Sequence, residues 1–150
     1  MRYPIQIREI QGAKRLIVLL LSRQPRCFGS FEAFIDTGSP RTIISAVDAE
    51  KLMIPFNSLN ATQPIIGFGK GNVPTLSIDK FNLIMHNSNG QSKQIIMPVV
   101  ITDVSTMRKR DQQILDHART IPSLIGMDFL EANKFKLFVD LENNEAYFED

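Results

Sequence analysis

A chain of 150 residues with 43% hydrophobic content and no Trp is long enough to bury one core and too short for two ordinary domains, so a single domain spanning 1 to 150 is expected. Its 17 basic residues nearly cancel 16 acidic ones, which leaves no whole-protein field to draw it onto nucleic acid or an anionic membrane. The one cysteine, Cys27, excludes an internal disulfide, and His86 and His117 form no cluster with metal-ligand spacing. A reducing, cytoplasmic setting and the absence of any metal or other cofactor are therefore expected.

Strand-like runs open the chain at 4 to 10 and 16 to 22. The second, LIVLLLS, is the one stretch that could be mistaken for a targeting or membrane segment. Its six consecutive apolar residues are closed by Arg23 and Arg26 and lack a small-residue cleavage site, so it is too short to span a bilayer and reads as a buried strand. A run at 31 to 36 stops at Asp36, Thr37 and Gly38 and resumes at 42 to 45. SAVDAEKLM, at 45 to 53, begins with a Ser that can cap a helix and an Asp three residues on. Runs at 63 to 68 and 75 to 86 flank a glycine-rich tip, and another follows at 93 to 102. STMRKRDQQILDHAR, at 105 to 119, is a helix candidate with Met107, Ile114, Leu115 and Ala118 on roughly one face. MDFLEANK, at 127 to 134, is one or two helical turns, and 135 to 141 is the last strand-like run. Gly, Pro, Asn and Ser separate the runs, so the chain is β-dominated.

The Asp36 carboxylate, at the end of an apolar run, is a natural β-turn residue that can bond its own backbone. A second segment gives it another meaning. In IPSLIGMDFL, at 121 to 130, an apolar strand ends in Leu124, Ile125 and Gly126 and runs into a short helix. Paired with the Asp-Thr-Gly-Ser of 36 to 39, in this order and spacing, it resembles the retroviral-type, retropepsin-like aspartic proteases over about residues 14 to 148. The resemblance implies an all-β fold, a closed acid-protease barrel with a flap hairpin and one to three short helices. In it the strand of 121 to 126 threads beside the loop of 36 to 39, with Gly126 where a side chain would collide with backbone.

The resemblance also assigns roles. Asp36 is the catalytic carboxylate, Thr37 bonds the partner's loop, Gly38 presents backbone near the substrate, and Ser39 donates to Asp36. Leu124, Ile125 and Gly126 support the loop. Arg41 and the flap residues Ile66, Gly67, Phe68, Gly69 and Lys70 contact substrate, and the charges of Arg41 and Lys70 predict a preference for acidic residues near the scissile bond. The glycine-rich tip also reads as an ordinary hairpin turn. A phosphate loop fits poorly, because no Ser or Thr follows Lys70 and no helix opens there.

Hydrolysis of an amide without a metal needs one group to activate water and another to protonate the amide, and two close carboxylates sharing a proton do both. This sequence holds one Asp-Thr-Gly, so the second carboxylate must come from a second copy across a two-fold axis. The expected protein is a homodimeric aspartic endopeptidase acting on peptide or protein substrates. The alternative is a catalytically silent dimerisation or protein-binding module of the same fold.

Two departures from the retroviral pattern stand out. The Asp after the loop and the Arg after the apolar-apolar-Gly, which pair in many retroviral members, are here Pro40 and Met127; losing both partners together is nearly neutral, unlike losing one. The segment 103 to 120 is an insertion whose Arg108, Lys109 and Arg110 form a solvated helix face or rim the cleft. The ends carry opposite charge, with six basic and one acidic residue in 1 to 30 against two basic and six acidic in 131 to 150. They are expected to interleave between subunits, with apolar contacts from Ile5, Ile7, Phe135, Leu137 and Val139. A start at Met1 with no pro-segment reads as a free-standing enzyme.

Overall fold

The computed structural model describes residues 1 to 24, 27 to 56, 59 to 65, 73 to 102, 116 and 120 to 150. Eleven strands are described: β1 (Arg2–Pro4), β2 (Gln6–Ile10), β3 (Ala13–Gln24), β4 (Cys27–Ile35), β5 (Ile43–Ile44), β6 (Asn60–Ile65), β7 (Val73–His86), β8 (Ser92–Thr102), β9 (Leu124–Ile125), β10 (Lys136–Asp140) and β11 (Glu145–Glu149). Two short helices are described over their full length, α1 (Ala46–Lys51) and α2 (Met127–Asn133). The fold is all-β in class, as expected. Among the described residues no helix is long and apolar enough to cross a membrane. Most of the predicted helix of 105 to 119 lies outside the described residues, as does the flap tip with Ile66, Gly67, Phe68, Gly69 and Lys70.

Eight strands run in the order β2-β3-β4-β9-β5-β8-β7-β6, and a further pairing of β3 with β7 closes the sheet into a ring. Local sequence explains the turns. Gln11 and Gly12 have φ of 52° and 77°, the left-handed pair that a two-residue β2–β3 hairpin requires. The Asn87 side chain accepts from the Asn89 and Gln91 amides at 3.0 and 2.8 Å, which fixes the β7–β8 turn. The run 16 to 22 is buried along its inward face and, at Ile17, 2% exposed, on the outward face too. Val18, Leu20 and Ser22 point inward, while on the other face Leu19 is 50% exposed.

The chain ends form a second sheet of three strands, ordered β1-β11-β10. Arg2 stands opposite Glu149, Tyr3 opposite Phe148 and Pro4 opposite Tyr147. The complementary termini therefore meet within one chain, not between subunits as the sequence led us to expect. The physical cause is β11. The turn after Asp140 folds it back along β10, and its other edge then takes β1. The Met1 ammonium lies 2.7 Å from Asp150 Oδ1, and Lys93 Nζ lies 2.5 Å from Oδ2.

Between this sheet and the ring, Tyr3, Phe129, Phe135 and Phe148 pack with ring centres 5.3 to 5.7 Å apart. They join Leu20, Ile44, Phe81, Leu83, Met85, Ile101 and Ile125 in one continuous core. That core anchors both β9 and α2, the two elements that position the loop after β4.

Candidate active site

Strand β4 ends at Ile35, and Asp36 begins an exposed loop. β9 runs parallel beside it, with Phe34 opposite Leu124 and Ile35 opposite Ile125. The Phe34 amide donates to the Ser123 carbonyl at 2.9 Å and the Asp36 amide to the Ile125 carbonyl at 3.0 Å. The loop then turns on itself. Gly38 N donates to Asp36 Oδ1 at 2.9 Å, and Ser39 N to the Asp36 carbonyl at 3.1 Å. Asp36, Thr37 and Gly38 are exposed and Ser39 is half-buried, so the carboxylate faces outward from a backbone that is fixed beneath it.

Gly126 allows this close approach. A Cβ there would lie 2.5 Å from both the carbonyl carbon and oxygen of Arg41, and 2.8 Å from the Ser39 oxygen. The strand of 121 to 126 thus passes against the loop as expected, for the expected steric reason. Gly126 also caps α2 without a side chain. The first helical amides use the loop as their cap: Met127 N donates to the Ser39 carbonyl at 2.8 Å and Asp128 N to that of Pro40 at 3.3 Å. Backbone bonds at Pro40 and Met127 thus join the loop to the helix where the retroviral pattern has an ion pair.

One residue that the sequence did not single out completes the clamp. Asp128 Oδ1 accepts from the Thr42 hydroxyl at 2.7 Å and Oδ2 from the Thr42 amide at 3.0 Å. The same hydroxyl accepts from Gly126 N at 3.2 Å. Thr42 is 2% exposed, so these bonds satisfy groups whose isolation would be costly. A second polar cluster lies alongside. The Ser123 hydroxyl donates to Asp48 Oδ2 at 2.6 Å and accepts from Ser45 N at 2.9 Å, while Thr102 Oγ1 accepts from Ala46 N at 2.8 Å. β8, β9 and the start of α1 are thereby tied together around the loop.

Ser39 departs from its expected role. Its hydroxyl donates to the Arg41 carbonyl at 2.7 Å, not to Asp36, because the turn brings that oxygen within reach of a side chain pointing away from the carboxylate. Leu124 and Ile125 are buried, at 7% and 1%. Arg41 is exposed.

Recesses flank the loop on both sides. One, of about 120 Å³, lies before Asp36 against Ile17, Ala33, Phe34 and Pro122. At its rim Arg8 holds Glu32 through two bonds of 2.8 and 2.9 Å, and that guanidinium keeps Glu32 below the usual carboxylate range. The other, of about 280 Å³, lies after Asp36 against Pro40, Arg41, Val99, Val100 and Asp128.

No protein-family model and no curated protein matches the sequence. Comparison of folds is informative. A retropepsin-like aspartic protease from Rickettsia conorii superposes with a TM-score of 0.62 at 16% identity, covering 99% of this chain and 89% of that one. EIAV protease complexed with the inhibitor HBY-793 gives 0.52 at 16% identity over 88% of this chain and 100% of its own. The retroviral protease-like domain of Ddi1 from Leishmania major gives 0.50 at 17% identity over 91% and 94%. With its closed sheet, its threaded β9 strand and these neighbours, the chain has the retropepsin-like fold of aspartic proteases.

Proposed function

We propose that residues 1 to 150 form one half of a homodimeric aspartic endopeptidase. The observation that carries this reading is the exposed Asp36 carboxylate on a loop pinned from below by Ile125, Gly126 and Asp128. A loop so held presents its side chain in one place, and pre-organisation of that kind is what a shared carboxylate pair needs. Two Asp36 side chains facing across a two-fold axis would share one proton, since neighbouring carboxylates resist ionising together. One would take a proton from the attacking water while the other gives one to the scissile amide. Gly38 would offer backbone to the substrate, and Thr37 would bond the opposite loop.

The pairing of β6 with β7, Asn60 opposite Ser77 and Ile65 opposite Val73, supports the reading of Ile66, Gly67, Phe68, Gly69 and Lys70 as a flap that would close over bound peptide. Arg41, beside the larger recess, would favour acidic side chains. No cofactor is invoked. Cleavage of an unstructured protein such as casein by the wild type and not by Asp36→Asn is the deciding experiment.

The second reading, a non-catalytic dimerisation or protein-binding module, draws on Ser39. Its hydroxyl is committed to Arg41 and lends Asp36 no bond. If wild type and Asp36→Asn are equally inert while both bind the same peptide, that reading replaces the first.

A further inference from the structure

Strand β8 lacks a strand partner along most of one side. Its pairing with β7 runs from Ser92 to Thr102, whereas on the other side β5 covers only Val100 and Ile101. Both ends of the strand indicate which backbone groups this leaves outward. At one end Asn87 N donates to the Gln91 carbonyl across the turn, and at the other Val100 N donates to the Thr42 carbonyl, away from β7. The extra residue at the register shift lies in β7, between Ile78 and Phe81, so β8 alternates without interruption. Lys93, Ile95, Met97 and Val99 therefore turn their amides and carbonyls toward β7, and Gln94, Ile96 and Pro98 turn theirs away. Among the described residues no backbone group bonds these three from that side. Proline is tolerated at 98 for the same reason, since the amide it lacks would face away from the ladder.

The larger recess beside the loop lies along this free side. β8 lines it with Pro98 and Val99, α2 with Asp128 and Ala132, and the loop with Pro40 and Arg41; Asp36 does not line it. Its two charged groups differ. Asp128 is committed, with Oδ1 accepting from the Thr42 hydroxyl and Phe129 N and Oδ2 from Thr42 N. Arg41 is exposed and makes no ion pair among the described residues. On the outer face of the same strand Ile96 is 62% exposed and Pro98 is exposed beside it. Free strand groups, an unpaired guanidinium and apolar surface thus adjoin one another. Because α2 bounds the recess, the space suits a single extended chain and not the edge of a folded sheet.

We propose that the free side of β8 binds an extended peptide as an added antiparallel strand, with a carboxylate near the start of the peptide meeting Arg41. Ile96 and Gln94 would each exchange amide and carbonyl bonds with the residue opposite, and Pro98 would accept through its carbonyl alone. The antiparallel direction sets the beginning of the peptide at the Val100 end, where Arg41 lies. In such strand addition the backbone bonds supply affinity, while the guanidinium and the apolar face select sequence. The proposal goes beyond the reading of the Asp36 site and does not depend on it.

A fluorescein-labelled Asp-Val-Thr-Val-Thr-Val peptide tests it, with binding followed by anisotropy in Asp36→Asn protein so that cleavage plays no part. Ile96→Pro removes an outward amide without touching the ladder to β7, and Ala132→Phe fills the recess from an exposed helix position. Each should weaken binding about fivefold or more while the protein stays folded. Lys in place of the Asp should weaken it about threefold. Saturating peptide should slow hydrogen exchange at the Gln94 and Ile96 amides and leave Ile95, which already bonds β7, unchanged. Failure of the peptide to bind, undiminished binding by both folded variants, or unaltered exchange at Gln94 and Ile96 overturns the proposal. Binding with these signatures by a wild type that cleaves nothing keeps the groove and removes the peptidase reading. Asp36-dependent cleavage by a protein that fails to bind the peptide along β8 does the reverse.

Discussion

Thr42 and Asp128, 86 residues apart, are joined by two hydrogen bonds of 2.7 and 3.0 Å that fasten the loop after β4 to the first turn of α2. The Thr42 hydroxyl also accepts from Gly126 N, so one buried side chain links strand, loop and helix. Removing the carboxylate leaves a buried hydroxyl and amide without their acceptor. Asp128→Ala should cost about 1 to 3 kcal/mol in urea unfolding and, if Asp36 is catalytic, should lower cleavage more than the loss of folded protein explains. Asp128→Asn, which keeps one acceptor oxygen, should fall between.

Gly126→Ala should be more damaging than its size suggests. The added methyl meets the Arg41 carbonyl at 2.5 Å, and backbone cannot move aside as a side-chain tip can. A loss of about 3 kcal/mol or more is expected. A thermal melt within 2 °C of wild type, the shift expected for about 0.5 to 1 kcal/mol, would show that the loop has room to yield.

If each copy supplies one Asp36, activity follows the dimer. Specific activity should fall on dilution, and excess Asp36→Asn protein should poison the wild type by forming mixed dimers with one carboxylate and one amide. The pair should titrate as a unit and give a bell-shaped rate profile centred below neutral pH. A rate per chain that stays constant down to concentrations where only monomer sediments would rule out a shared site.

The tie between the chain ends carries its own pH signature. Hydrogen bonds from Lys93 and then from the Met1 ammonium lower the Asp150 carboxyl from 3.8 to about 2. A carboxyl with a depressed folded value stabilises fully above its ordinary value, and that contribution is lost as pH falls from 3.8 to about 2. Carboxyl-carbon NMR should place the Asp150 midpoint near 2, and Lys93→Met should move it up toward 3.8. The ends therefore stay fastened through the mildly acidic range in which a carboxylate pair works.

Arg41→Ala should flatten any preference for Asp or Glu near the cleaved bond in a peptide-library digest. The guanidinium is exposed at the larger recess, so the change in relative kcat/KM should be modest, about three- to tenfold.

The loop was legible because its residues are constrained twice. Asp36-Thr37-Gly38 interrupts an apolar run, and Gly126 sits where only hydrogen fits, so each leaves a mark in the sequence. Asp128 leaves none, since an acid in the first turn of a helix is ordinary and its meaning lies in the distant Thr42. β11 was missed because Glu145-Ala146-Tyr147-Phe148-Glu149 alternates too briefly between acids to read as a strand. The opposite charge of the two ends was visible, but charge does not say which chain provides the partner, and the turn at 141 to 144 decides that. Ser39 had two acceptors within reach, and sequence alone does not choose between them.

Pro4 has a consequence for how far assembly can go. In β1 the residues that bond β11 are Met1, Tyr3 and Ile5, so Arg2 and Pro4 face away from the sheet, and proline has no amide hydrogen to offer an incoming strand. One border of the terminal sheet is thus capped while the other, at β10, stays receptive. A border so closed offers no template onto which further chains can add, so the ring at position 4 guards this side of the sheet against fibril growth.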